Sequence, residues 1–487
     1  SFTPDTNSLL GEVPEIKNLF LSCGLNSVGI GTGGGVGKVT AEWLMTGHIN
    51  QDIFNYDIKR FQKFHSKLSF IKERITESLG DLYGMHWPYK QHKTSRNIKT
   101  LPHHDLLKSF GACFGVSAGY ERPMWFALDG EKAEYDYSYN YQNWYPSVEY
   151  ETVNTIKNVG LFDLTPFSKF ELKSDLAHKE LQRICTADIK HEVGKCTYTN
   201  MLNKDGGIEA DLTVVCIDKN HFRIVSSAAT RERDKFHITK HLSKNIELKD
   251  VTDDYCVFGV FGPKSRLLMQ NMSNDDFSGE NFKFSKSKFI EIDNIKIWAQ
   301  RLSYVGELGY ELYVKKEDAR FIYEKIVKNG KNFNLSNCGM HALDTLRMES
   351  GFMHWGHDIS PEENQYEANL AFTISMKKET DFIGKEALKK IKNLKQDRRF
   401  AMFILKNSKP GKPLLLHDEP IYLKNKIIGK TTSGNYSFNF KKNLSFGYIN
   451  NFDSFLDFKD LHIEIEKKKY AADIIFKPLK NSNFKNI

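Results

Sequence analysis

Residues 198–214 constrain this chain more than any other stretch. They read Tyr-Thr-Asn-Met-Leu, then Asn203-Lys204-Asp205-Gly206-Gly207, then Ile-Glu-Ala-Asp-Leu-Thr-Val. Asp-Gly-Gly between two apolar runs predicts a β-hairpin, because glycine accepts the positive φ that a tight turn needs. Asp211 then stands near the start of the return strand, at a rigidly set point. An acid held that way suits orienting or deprotonating an amine, which needs position first and pKa second. An acid beside a turn can equally be a plain solvated side chain. Tyr198 and Asp211 bracket the hairpin, and antiparallel pairing is expected to bring ring and carboxylate to one cavity. Tyr304 and Glu311 bracket a second glycine-rich turn and are expected to converge across paired strands. A tyrosine ring can stack on a flat heterocycle, and a glutamate can accept two parallel hydrogen bonds from an aminopyrimidine edge. Either tyrosine also suits a packed core or rim position.

A chain of 487 residues exceeds one core, so roughly two to four domains are expected. With 40% hydrophobic and 13% aromatic residues, those cores can be filled. The net charge of +8 is spread along the chain, and no aromatic-basic repeat points to nucleic acid. Seven cysteines occur without a C-x-x-C pair, which speaks against a zinc ribbon or dithiol and for free thiols in a reducing compartment. No apolar run reaches the ~18 residues of a membrane span. The chain opens on Ser1 without a charged-then-apolar leader, and this start reads as the middle of a longer protein.

Along the chain, residues 19–23 predict a strand, followed by a glycine-rich loop and a helix from Val36 to about Thr46, stopped by Gly47. Gly29-Ile30-Gly31-Thr32-Gly33-Gly34 satisfies G-x-G-x-x-G, yet no second apolar strand ending in an acid follows, so a dinucleotide-binding unit is not supported. His92, His103 and His104 lack acids at metal spacing, and no metal site is expected. Helices are expected at 177–186, 231–243, 317–328 and 340–350, among strands. Residues 381–487 predict a short helix and then a small antiparallel barrel. His341, Arg347, His354, Trp355, His357 and Asp358 cluster after a helix that ends near Gly351, and read as a capped helix end with packed rings.

The 198–214 run resembles the folate-binding hairpin of the aminomethyltransferase family, and Gly-Gly-Ile-Glu-Ala-Asp-Leu-Thr-Val looks like its dimethylglycine and sarcosine dehydrogenase branch. Other segments agree in order: Phe2-Thr3-Pro4-Asp5, Cys23-Gly24-Leu25-Asn26-Ser27, Leu101-Pro102-His103-His104-Asp105, Gly119 to Phe126, Gln142 to Pro146, Tyr304 to Tyr313, and His354-Trp355-Gly356-His357-Asp358. The resemblance implies an α+β, multidomain chain. Residues 1–60 would be the incomplete tail of an FAD-dependent oxidoreductase domain and 61–117 a linker module. Residues 118–380 would be the folate-binding domain and 381–487 its C-terminal β-barrel.

It further implies tetrahydrofolate bound by Tyr198, Tyr304 and Glu311, with Asp211 as the catalytic acid at the folate nitrogen. Ile30, Gly31, Thr32, Gly33 and Gly34 would meet the edge of FAD, but only where a complete FAD domain is present. The implied activity is oxidative N-demethylation, with the one-carbon unit of an N-methyl amine passed to tetrahydrofolate. The expected compartment is cytoplasm, or mitochondrial matrix in a eukaryote; no nucleic-acid or membrane partner is implied, and the oligomeric state stays open. Departures exist. Ala210 replaces the first acid of the Asp-Asp pair of stand-alone transferases, as in the dehydrogenase branch, and Leu343 stands where those transferases carry arginine. Asn364 to Leu370 is more polar than the related Thr-Pro-x-Glu-Ala-Gly-Leu. A stand-alone folate transferase and a non-catalytic folate-binding module remain as alternatives, although the Lys-Gly-Cys-Tyr-x-Gly-Gln run of the iron–sulfur assembly relatives is absent.

Overall fold

The hairpin forms as its residues demand. In a computed structural model that describes residues 2–394, 396–452, 457–480 and 484–486, strands Cys196–Leu202 and Ile208–Asp218 pair antiparallel. The turn at 203–207 is tied by the Asn203 side chain, which accepts from the Asp205 and Gly207 N–H groups. Gly206 sits at φ +93°, where a side chain would be strained. The register departs from expectation. A five-residue turn and a bulge at Met201/Leu202 move each partner two residues on, so Tyr198 faces Thr213 and Asp211 faces Asn200.

This hairpin is one edge of a five-stranded antiparallel sheet, continuing through His221–Ser226, Ser168–Lys173 and Leu248–Asp250. A six-stranded sheet runs Ser287–Ile292, Ile295–Gln300, Gly309–Lys315, Tyr255–Phe261, Val159–Asp163, Leu335–Cys338. Its last pair is parallel. One apolar cluster joins the two sheets: Cys196 and Val215 of the first meet Phe162, Val257, Trp298 and Tyr313 of the second. The second sheet's other face packs on helices Ser265–Met272 and Ala319–Gly330 through Leu268, Ile322 and Ile326. Helix Met340–Glu349 can start where it does because a Cβ on Gly339 would lie 2.1 Å from the Met124 carbonyl oxygen.

The C-terminal strands close a barrel in the order Arg398–Leu405, Lys442–Asn450, Lys426–Ser437, Pro420–Leu423, Leu461–Ile465, Lys468–Ile475. Alternating inward residues such as Ala401, Phe403, Ile421, Ile463 and Ile465 fill it. The short helix before it spans Lys385–Lys392.

Two expectations for the first hundred residues are corrected. The glycine-rich run is not a loop: a helix spans Gly29–Thr46 and stops at Gly47, φ +79°. None of Gly29, Gly31, Gly33 or Gly34 has a positive φ, so the freedom that suggested a loop goes unused, and no proline interrupts the i→i−4 ladder. Ile30, Gly31, Thr32, Gly33 and Gly34 therefore lie in its first turns, exposed to solvent. The second correction concerns His92. Glu77 and Asp81 of helix Leu68–Asp81 approach it, with ligand-type atoms within 4.8 Å of one another. These acids are already engaged: Glu77 accepts from the Lys93 and Thr94 N–H groups, and Asp81 pairs with Lys90 at 2.5 Å. His103 serves packing, fully buried, bonded to Asp163 at 2.9 Å and stacked on Tyr323. No helix among the described residues is long and apolar enough to cross a membrane.

Candidate active site

Asp211 lies on the return strand, on the face that Cys196 and Val215 turn toward the second sheet. Directly across the ladder, Asn200 Nδ2 donates to Asp211 Oδ1 at 2.8 Å. The Tyr198 hydroxyl, two residues along the same strand, hydrogen-bonds to the same carboxylate. Burial raises the Asp211 carboxyl to about 7, against those two hydrogen bonds, and the Asp234 carboxylate adds to the rise. Burial and the neighbouring Asp211 push the Tyr198 phenol well above its ordinary value, so it stays a neutral donor. A carboxyl poised near neutrality can take a proton and release it at physiological pH.

Tyr304 is not on a paired strand, as the sequence pattern suggested. It sits in the connection between Ile295–Gln300 and Gly309–Lys315, where its hydroxyl donates to the Met353 carbonyl at 2.6 Å and its ring stacks on Phe352. The eight residues between the strands are too many for a two-residue turn, and the loop swings Tyr304 toward Asp211, whose charge bears on its phenol. Glu311 does lie on a strand, opposite Gln300. Burial raises Glu311 to about 7, offset by the Tyr313 hydroxyl at 3.0 Å. The hairpin side of this acid is Cys196, whose thiol feels its charge. Tyr198, Asp211 and Tyr304 thus converge, while Glu311 stands toward the start of the hairpin's first strand.

Tyr198 keeps 39% of its surface exposed, and Asp211, Tyr304 and Glu311 are partly exposed. Yet each is desolvated strongly by surrounding protein. These side chains are open to water on one side and packed against protein on the other. Their chemistry fits a reduced pterin. Two rings offer stacking faces, two carboxyls accept from N–H groups, and Gln300, fully buried beside Glu311, has neither amide atom hydrogen-bonded among the described residues.

Sequence reasoning missed several contributors. Phe372 presents a 75% exposed ring 6.1 Å from that of Tyr198, nearly parallel to it. Asn200, Gln365 and Thr373 form the polar backing of Asp211. Asn200 could have been found by counting rungs once both the turn length and the bulge at Met201/Leu202 were known; nothing local in sequence marks Gln365 or Thr373.

The cluster at 341–358 is a clamp. Arg347 pairs with Asp344 at 2.8 Å and Asp358 at 2.6 Å, and Asp358 also accepts from Thr432 and Ser433 of the barrel. His341 stacks on Trp144 at 4.0 Å, and burial pushes its imidazole down to about 3, so it stays neutral. Leu343 is packed in the core. A separate cavity of about 170 Å³, lined by Trp43, His48, Phe54, Glu209, Arg233 and Trp355 among others, lies where the N-terminal segment meets the hairpin. Along the glycine helix a Cβ on Gly31, Gly33 or Gly34 meets nothing within 4 Å, and Ile30 is fully exposed.

The family model described as the GCVT N-terminal domain matches residues 103–378. The FAD dependent oxidoreductase central domain matches residues 46–100, and the glycine cleavage T-protein C-terminal barrel domain matches 398–480. The chain is 39% identical to 4-methylaminobutanoate oxidase (formaldehyde-forming) of Paenarthrobacter nicotinovorans, over 90% of this chain and 53% of that protein. It is 31% identical to mitochondrial dimethylglycine dehydrogenase of Rattus norvegicus, over 98% and 55%. The chain thus spans about half the length of the curated relatives it matches. The crystal structure of glycine cleavage system aminomethyltransferase T from Bartonella henselae superposes with a TM-score of 0.67 at 21% identity, covering 79% of this chain and 99% of that one. That likeness establishes the fold. The chain belongs to the aminomethyltransferase-like T-protein family defined by the GCVT N-terminal domain, and it carries matches to the FAD dependent oxidoreductase central domain and the T-protein C-terminal barrel domain beside it.

Proposed function

We propose that this chain carries the folate half of a flavin-linked N-demethylating enzyme and passes a one-carbon unit from an oxidised N-methyl amine to tetrahydrofolate. The carrying observation is Asp211: a carboxyl raised to about 7, held by Asn200 and Tyr198 and neighboured by Tyr304, with Glu311 farther along on the second sheet. Glu311, with Gln300 behind it, suits the aminopyrimidine edge of a pterin, and the tyrosines suit its faces. Tetrahydrofolate, when bound, supplies a secondary amine as nucleophile. Asp211 Oδ would stabilise positive charge on that nitrogen during capture of an iminium carbon and take the proton it loses, and the same carboxyl could return that proton to the nitrogen of the demethylated amine as its C–N bond breaks and it leaves. The neutral Tyr198 phenol and the Asn200 amide stabilise the carboxylate before transfer and follow the proton after it.

We assign the division 1–60, 61–117, 118–380 and 381–487 to the oxidoreductase tail, linker, folate domain and barrel. The oxidation itself belongs to a complete flavin domain. The test mixes the chain with tetrahydrofolate and an iminium generated from an N-methyl amine by a separate oxidase, and reads methylene-tetrahydrofolate. Formation above the uncatalysed rate by wild type, lost in Asp211→Ala with folate binding retained, supports the assignment. Equal rates with wild type, Asp211→Ala and no protein overturn it.

A further inference from the structure

Behind the Asn200 amide runs a line of amides and hydroxyls, Gln365, Thr373 and Thr186, that the chemistry above does not use. Asn200 is fully buried and donates from Nδ2 to Asp211 Oδ1 at 2.8 Å. Its Oδ1 accepts from Thr373 Oγ1 at 2.8 Å and from Gln365 Nε2 at 3.1 Å. Gln365 Nε2 also reaches Thr186 Oγ1 at 3.0 Å, and Thr186 Oγ1 donates to the Thr373 carbonyl at 3.0 Å. Gln365 and Thr186 are fully buried and Thr373 is nearly so.

With Oδ1 turned to the Thr373 hydroxyl and the Gln365 amide, the Asn200 NH2 meets the carboxylate, the orientation that an ionised Asp211 favours. Buried polar side chains are costly unless bonded in this way, and apolar residues would fill the same space more cheaply. Gln365 is also a departure: it occupies the proline position of the related Thr-Pro-x-Glu-Ala-Gly-Leu run, and proline has no side-chain donor.

We propose that Asn200, locked by Gln365 and Thr373, is a positioning residue for one-carbon transfer that aims the Asp211 carboxylate at the folate amine and favours its ionised form. The proposal rests on the folate reading given above. Among the described groups facing Asp211, Tyr198 from its partner strand bonds to the carboxylate, Asp234 from helix Arg231–His241 opposes its ionisation, and Tyr304 approaches from its loop. Without the Asn200 amide, Tyr198 alone holds the charge.

The experiment uses Asn200→Ala, Asn200→Leu and Gln365→Leu in the full chain. Asp211 is titrated by carboxyl ¹³C NMR without folate, and transfer is followed against pH. In Asn200→Ala the Asp211 midpoint and the acid limb of the rate profile should both rise by about one pH unit. Transfer should fall about tenfold with the tetrahydrofolate KM changed less than about twofold. Gln365→Leu should move both in the same direction by less, and it carries the test if the Asn200 variants do not fold. An unmoved Asp211 midpoint in both positions overturns the proposal, whatever the folate result. A wild type that binds no tetrahydrofolate but shows the shifted midpoint would instead remove the folate reading while leaving the Asn200–Asp211 linkage in place.

Discussion

Replacing Asp211 with asparagine should stabilise the protein above neutral pH while stopping its chemistry. For a carboxyl, a folded-state pKa above the unfolded one means that the native state holds the proton more tightly. Ionisation therefore costs stability, starting near the ordinary value of 3.8 and complete above about 7. The gap is about three units, and at roughly 1.4 kcal/mol per unit it corresponds to at most about 4 kcal/mol. Partial solvent contact and relaxation reduce this, so a gain of about 2–4 kcal/mol is expected at pH 8–9. Asparagine keeps an oxygen for Asn200 Nδ2, and its amide can meet the Tyr198 hydroxyl, so the gain is not offset by a lost partner. Urea unfolding of wild type and Asp211→Asn at pH 5, 7 and 9 is the assay. The difference should already be more than a third of its full size at pH 5, be nearly complete at pH 7 and level off by pH 9, while transfer falls by about 10² or more. A variant no more stable than wild type at pH 9, or a pH-independent difference, would refute the argument that burial raises this acid.

Glu311→Gln should weaken tetrahydrofolate binding by about tenfold or more, because a neutral amide accepts less strongly at the pterin edge. Wild-type affinity should also fall as pH drops through about 7, a dependence that calorimetry should find missing in the variant. Phe372→Ala removes an exposed ring beside Tyr198. It should loosen folate about five- to tenfold and leave unfolding within about 0.5 kcal/mol of wild type. Glu151 is a buried acid raised by burial to about 8, which accepts from the Phe126 and Gly339 N–H groups at 2.7 Å. Glu151→Ala strands both donors and should cost about 2–4 kcal/mol in denaturant unfolding, with Glu151→Gln far milder.

Much of this arrangement is legible in sequence because short-range rules dominate there. Asp205-Gly206-Gly207 announces its hairpin, Gly47 stops its helix, and the apolar runs at 400–405 and 446–449 signal barrel strands. What fails is register and context. The five-residue turn and the bulge at Met201/Leu202, which has no residue-type signature, together decide that Asn200 rather than Tyr198 faces Asp211. The glycines at 29–34 permit a loop without requiring one, and an unbroken ladder made them helix. Tyr304 lies in a loop whose path depends on packing against Phe352 and Met353, nearly fifty residues away. Gln365 and Thr373 reach Asn200 across more than 160 positions, a proximity that only the closed fold supplies.

Anaerobic titration calorimetry of tetrahydrofolate into the chain, beside the double variant Tyr198→Ala/Glu311→Ala, tests the central claim most directly. The account predicts one site per chain in wild type and no measurable heat of binding in the double variant. Absence of binding to both, or equal binding to both, would contradict it.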